Sequence, residues 1–205
     1  MNTPTAPRLE TALRSVLVPI LKKDGFRGSG RKYYKHSGPW LQLLNIQGSR
    51  YGGSFAVNLA IHYATAPDLV GNLPDPAKMT EAHCELRRRL AEDRADMWWK
   101  HESSTESMLE AVQSASAMYE SVGRKYFANA IETLESMTAE ALSQGNYDLQ
   151  GFHTGVPRLG LALARIRKLQ GRAAESRMFA AVSLRNLEVV VPWKAELEAL
   201  AANDA

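Results

Sequence analysis

With 205 residues, 45% of them hydrophobic and 23% charged, the chain is long enough to bury a core and has the composition of an ordinary soluble globular protein. A formal charge of +3 permits an acidic partner without demanding one. A single cysteine excludes an internal disulfide, and no stretch approaches the roughly 20 apolar residues of a membrane-spanning helix.

Residues 1–7 carry no pattern and read as a frayed start. Leu9, Leu13, Val16, Leu17 and Ile20 then share one face of an expected helix over 7–23, ended by Asp24-Gly25. The apolar run 16–21 inside it is short, contains Pro19 and ends in Lys22-Lys23. It does not read as a secretory signal, so a cytoplasmic setting is the expectation. Phe26 is expected to tuck under the sheet that follows.

Residues 31–63 are the region where aromatic and β-branched residues dominate. A first strand is expected over 31–36, closed by the turn Ser37-Gly38-Pro39, and a second over 40–47. Phe55, Val57, Leu59, Ile61 and Tyr63 alternate with small or polar residues, the period of a half-buried strand. If Gly52-Gly53 forms a two-residue loop, Leu44 faces Ile61, Ile46 faces Leu59 and Gln47 faces Asn58. A bulge at Gly48-Ser49 would shift that register.

Residues 64–82, rich in proline, read as a long loop with one helical turn. Over 84–90, Cys84, Leu86 and Leu90 alternate with Glu85, Arg87 and Arg89; a fourth strand is expected, with a short helix competing. A turn at 93–96 leads to a fifth strand over 97–101. Everything later reads as helical. Ser103 with Glu106 forms a capping box, and Met108, Val112, Ala115, Tyr119 and Val122 make a stripe that Gly123 ends or kinks. Phe127, Ala130, Leu134 and Leu142 mark the next helix, closed near Gly145. A helix–Gly–helix hairpin over about 156–188 resembles one tetratricopeptide unit and should pack on the helices before it. A short helix after Pro192 and a tail at 203–205 complete the chain. The expected fold class is α+β: an N-terminal helix packed on a roughly five-stranded antiparallel sheet over 1–102, followed by an antiparallel helical segment over 103–205.

Several fragments in order, Gly25-Phe26, Tyr33-Tyr34, Asn45-Ile46-Gln47 with Ser49, Phe55 with Val57-Asn58, Arg87 with Arg89-Leu90, and Trp98-Trp99, resemble the bacterial family catalogued as domain of unknown function 4304. The resemblance covers the first half of the chain. It implies an α+β fold and carries over no functional residues.

The strand parity sets Asn45, Gln47, Asn58 and His62 on the face opposite the apolar one, with Arg87 and Arg89 joining them if the fourth strand pairs nearby. Amides and guanidiniums together suit a carboxylate, a phosphate or a peptide backbone. The alternative is that they are the wet side of a half-covered sheet. Of the tryptophan pair, one fills the core and the other lies on the second face, where Trp99 is a candidate anchor for a partner. The five histidines are scattered, no cofactor motif is present, and metal-ligand spacing is absent; a hydrolase would need His62 or His36 beside a carboxylate. Cys84 reads as packed, and its strand parity sets it opposite His83. The expected function is a non-catalytic module binding a protein or peptide partner. Arg31, Lys32 and Lys35 leave a nucleic-acid alternative open, and no membrane partner is expected.

Overall fold

The computed structural model describes residues 8–68, 71–93 and 96–202. The expected frayed start at 1–7, the tail at 203–205 and the middle of the turn at 93–96 lie outside the described residues. Two helices, α1 (Leu9–Ser15) and α2 (Leu17–Lys23), stand where one was expected. Pro19 has no N–H to give the Ser15 carbonyl and its ring crowds that carbonyl, so the helix breaks at Val16. Leu9, Leu13, Leu17 and Leu21 are nevertheless all buried. Gly25, at φ +89°, turns the chain out of α2, and Phe26 is buried in the core.

Strands β1 (Arg27–Ser29), β2 (Lys32–Ser37), β3 (Trp40–Gly48), β4 (Ser54–Tyr63) and β5 (Leu86–Arg89) lie side by side in that order, all antiparallel. A sixth, β6 (Trp99–Lys100), pairs with the start of β4. β1 has no apolar residue to betray it. Its Gly28 sits at φ +123° where a Cβ would meet the Lys32 carbonyl oxygen at 2.2 Å.

The β3–β4 register corrects the expected one by two residues. Leu44 opposes Leu59, Ile46 opposes Val57, Asn45 opposes Asn58, and Gln47 opposes Ala56. The loop is four residues long: Ser49 N–H donates to Ser54 O (2.9 Å), and Gly52 N–H closes a turn on Ser49 O (3.1 Å). Gly52 and Gly53 both take left-handed φ at its end. A slip of two leaves every side chain on its expected face.

On the first face Trp40, Leu44, Ile46, Val57, Leu59 and Ile61 enter one continuous apolar core that also takes in Leu9 near the start of the chain and Leu200 near its end. On the second face Leu41, Leu43 and Ala60 pack under Met79 and Cys84. The covering segment contains a 3-10 turn, Glu81–His83, and Cys84 ends that turn instead of joining β5 beside Leu86. Only half of the second face is therefore sealed.

The remaining helices are α3 (Thr105–Met118), α4 (Arg124–Ser136), α5 (Ala139–Gln144), α6 (Val156–Leu169), α7 (Ala173–Arg185) and α8 (Lys194–Ala201). Ser104, one residue after the expected cap, accepts from Ser107 N–H (3.2 Å) at the start of α3. Tyr119–Gly123 form a π-helical turn between α3 and α4. A Cβ on Gly123 would stand 2.8 Å from the Tyr119 ring and 3.2 Å from Leu90. The α6–α7 hairpin closes where Gly160 lets Ser183 approach. It packs on the preceding helices, as expected: Arg167, fully buried, donates from Nη2 to the carbonyls of Leu134 (2.9 Å) and Glu135 (3.0 Å) at the end of α4.

Candidate functional site

Above the sealed half, the second face opens into a cleft of about 620 Å3, lined by Gln47, Asn58, Glu81, Arg87, Arg89 and His153 among others. Pairing fixes the floor. β5 lies against β4 with Arg89 opposite Asn58 and Arg87 opposite Ala60, so both arginines share the face of Asn58. The wall comes from far along the chain. His153 N–H donates to Arg87 O (3.1 Å), bringing Thr154 and Gly155 to the rim, where α6 begins.

Asn58, buried, sits at the centre of a polar network. Its Nδ2 donates to Gln47 Oε1 (3.0 Å) and to Glu81 Oε1 (3.1 Å). Arg89 Nε donates to Asn58 Oδ1 (3.2 Å), and Arg89 Nη2 donates to Gln47 Oε1 (3.0 Å). Arg89 Nη1 pairs with Asp96 Oδ1 as an ion pair, not an aligned hydrogen bond, and the guanidinium lies 4.6 Å from the Trp98 ring centre. Arg89 is thus held by Asn58, Gln47, Asp96 and Trp98 together. Among the described residues Arg87, exposed, makes no side-chain hydrogen bond or ion pair, and its charge acts on Glu85 only at a distance. Glu81 Oε2 is buried and accepts no hydrogen bond, although a buried acceptor left without a donor costs about 1–3 kcal/mol.

Arg88 points the other way and ties the wall to the floor. It donates from Nη2 to the carbonyls of Ala91 (3.0 Å) and Asp93 (3.2 Å), and from Nη1 to that of Gln150. Its guanidinium stacks 3.6 Å from the Tyr126 ring centre. Three consecutive arginines therefore divide their work by strand parity: one clamps the loop before α6, one is locked in the amide network, and one is left over.

Of the residues singled out from the sequence, Gln47, Asn58, Arg87 and Arg89 come together. Asn45 shares the face and opposes Asn58 but does not line the cleft. His62 lies on the sealed half, where its Nε2 meets the Ala66 carbonyl (2.9 Å). Burial holds its pKa below the usual value, despite that carbonyl and the charge of Asp68. The hydrolase geometry, with His62 or His36 bonded to a carboxylate, is not among the described hydrogen bonds. Trp99 belongs to the core: it opposes Phe55, stacks on it at 5.7 Å and donates to Ser114 Oγ (3.2 Å). Its neighbour Trp98 lies against the Arg89 guanidinium and donates to Asp96 Oδ2 (3.2 Å). Glu81, His153 and Thr154 escaped the sequence reading because they lie in turns and loops without periodicity. Cys84 is sealed, and burial pushes its thiol up to about 12. The basic residues near the start diverge. Arg31 is tied to Glu10 (2.8 Å), Lys35 lies over Phe26 on the helix side (5.3 Å), and Lys32 is exposed.

Helices at the N-terminus, an antiparallel meander and a following helical segment define an α+β protein with an arginine-and-amide cleft on its second sheet face. The model of the family described as domain of unknown function (DUF4304) matches residues 17–129, more than half of the chain, and the protein belongs to that family. No curated protein and no solved structure matches the chain. No described helix is long and apolar enough to cross a membrane.

Proposed function

We propose that the protein is a non-catalytic, cytoplasmic binding module that holds a protein or peptide partner in the cleft between β5 and the start of α6. One observation carries this reading: Arg89 is held by Asn58, Gln47 and Asp96, while Arg87, two positions along the same strand, lines the cleft with no side-chain hydrogen bond or ion pair among the described residues. A rigid bed beside an unused charged donor is the arrangement a recognition site needs. Recognition through the edge of β5 is disfavoured, because the Arg87 carbonyl is already taken by His153. The α6–α7 hairpin is disfavoured as well, since α6 already commits its Leu159, Leu161, Leu163 and Ile166 to the core. Affinity capture with the wild-type chain and with Arg87→Glu side by side tests the reading. A protein retained by the first and lost from the second is expected; identical retained sets would overturn it.

A further inference from the structure

Resting on that reading, we infer that the cleft takes the carboxyl-terminal end of a peptide chain. Its unmet groups are ordered along the strand direction. At one end stands the free Arg87 guanidinium, next to Thr154, Gly155 and the start of α6. The fourteen-residue α6 begins at Val156 after an N-cap glycine, Gly155, without a side-chain cap and with proline in its first turn. Its first N–H groups and its dipole favour negative charge at that end. One row further is Glu81, with Oε1 held by Asn58 and Oε2 without a donor. The last torsion of a glutamate is soft, so a small turn brings this acceptor to the cleft. Beyond lies Gln47, whose Oε1 is used twice and whose Nε2 is left to donate.

Anion receptor, N–H acceptor and C=O donor follow one another in the order that a chain end presents carboxylate, amide N–H and carbonyl. Arg87 and Arg89 stand two positions apart, about 7 Å, the reach of two residues of an extended guest. A free phosphate would satisfy only the Arg87 end and leave the buried Glu81 oxygen facing another anion. The volume also fits. About 620 Å3 lies in the range of small-ligand sites, near 300–1,000 Å3, which suits a few residues of chain better than a folded surface.

The test uses the full chain, 15N-labelled, titrated with a degenerate tetrapeptide pool as free acids, with the same pool amidated at the C-terminus, and with inorganic phosphate. The free-acid pool is expected to shift the amides of Arg87, Arg89, Thr154 and Gly155. Amidation of the pool, or Arg87→Gln in the protein, should weaken binding at least about tenfold. Arg87 is exposed, so its variant keeps the fold, which a thermal melt verifies. Glu81→Gln should weaken the free-acid pool while leaving the shifts at Gly155 in place. Equal binding of free-acid and amidated pools overturns the terminal-carboxylate inference and leaves the peptide-binding reading standing. Binding of neither pool overturns both. Phosphate shifting the same amides while neither pool does identifies a free-oxyanion site and overturns both as well.

Discussion

Asn58 decides whether the second face is a built site or merely wet. Replacing it with alanine removes three hydrogen bonds at once, to Gln47, to Glu81 and from Arg89. Gln47 is exposed, so water repairs its loss. The Glu81 carboxylate and Arg89 Nε are not so placed: Glu81 would then hold both oxygens without a protein donor. Two half-buried groups left unpaired, each at the lower part of the range of about 1–3 kcal/mol, give an expected loss of about 2–4 kcal/mol for Asn58→Ala. Urea unfolding with a slope of about 2 kcal/mol/M would show the midpoint falling by roughly 1–2 M at unchanged slope. Asn58→Asp sharpens the test. It keeps the shape and strengthens the tie to Arg89, but turns the donor at 3.1 Å from Glu81 into a second carboxylate oxygen. Two carboxylates at that distance share a proton, so one pKa rises in the folded state. Such a group stabilises the fold at low pH, and the benefit is lost as pH rises through the raised value. The deficit of Asn58→Asp should therefore be small below the ordinary carboxylate values near 4 and grow toward neutrality. A deficit under about 0.5 kcal/mol for Asn58→Ala, or one for Asn58→Asp that ignores pH, would refute the network as a held structure.

Burial alone would raise the Asp24 pKa, but hydrogen bonds from Arg124 (2.7 Å) and Tyr119 (2.8 Å) outweigh it and hold it down. Its stabilisation is present above the ordinary aspartate value of 3.8 and is lost as pH falls through the lower folded value. Asp24→Asn should cost about 1–2 kcal/mol at pH 7 by urea unfolding, and the cost should shrink in acid. Cys84, buried and pushed up to about 12, should resist iodoacetamide at pH 8 in the native protein and react fully in guanidinium; rapid labelling of the native chain contradicts its sealed placement. Gly123→Ala, which favours helix elsewhere, should cost about 1–2 kcal/mol here because Tyr119 and Leu90 crowd the new methyl, and a higher melting temperature would argue against that packing.

Much of the architecture was legible because strand parity survives errors of register. The glycine pair suggested a two-residue loop, whereas the turn began at Ser49, yet a slip of two left Asn58 and Gln47 on one face and their amides still touching. The tryptophan pair was not resolvable in the same way. β6 is two residues long and has no period of its own, and only its pairing with Phe55 sends Trp99 inward and leaves Trp98 to Arg89. Pro19 could have announced the break between α1 and α2 by its missing N–H. Nothing local announces Glu81, His153 or Thr154, because their places are set by a capped turn and by a bridge spanning more than sixty residues.

Arg88 has a consequence for how this chain can change. The stretch that the family model covers stops at residue 129, whereas the loop that Arg88 grips and the start of α6 lie beyond it. A chain cut at that point would keep its bed of amides yet lose the rim that frames Arg87, and would take the Gln150 carbonyl from Arg88 while leaving it those of Ala91 and Asp93. The rim of this cleft can thus be rebuilt by changing the tail while the meander stays untouched, provided the replacement returns an oxygen where the Gln150 carbonyl stood.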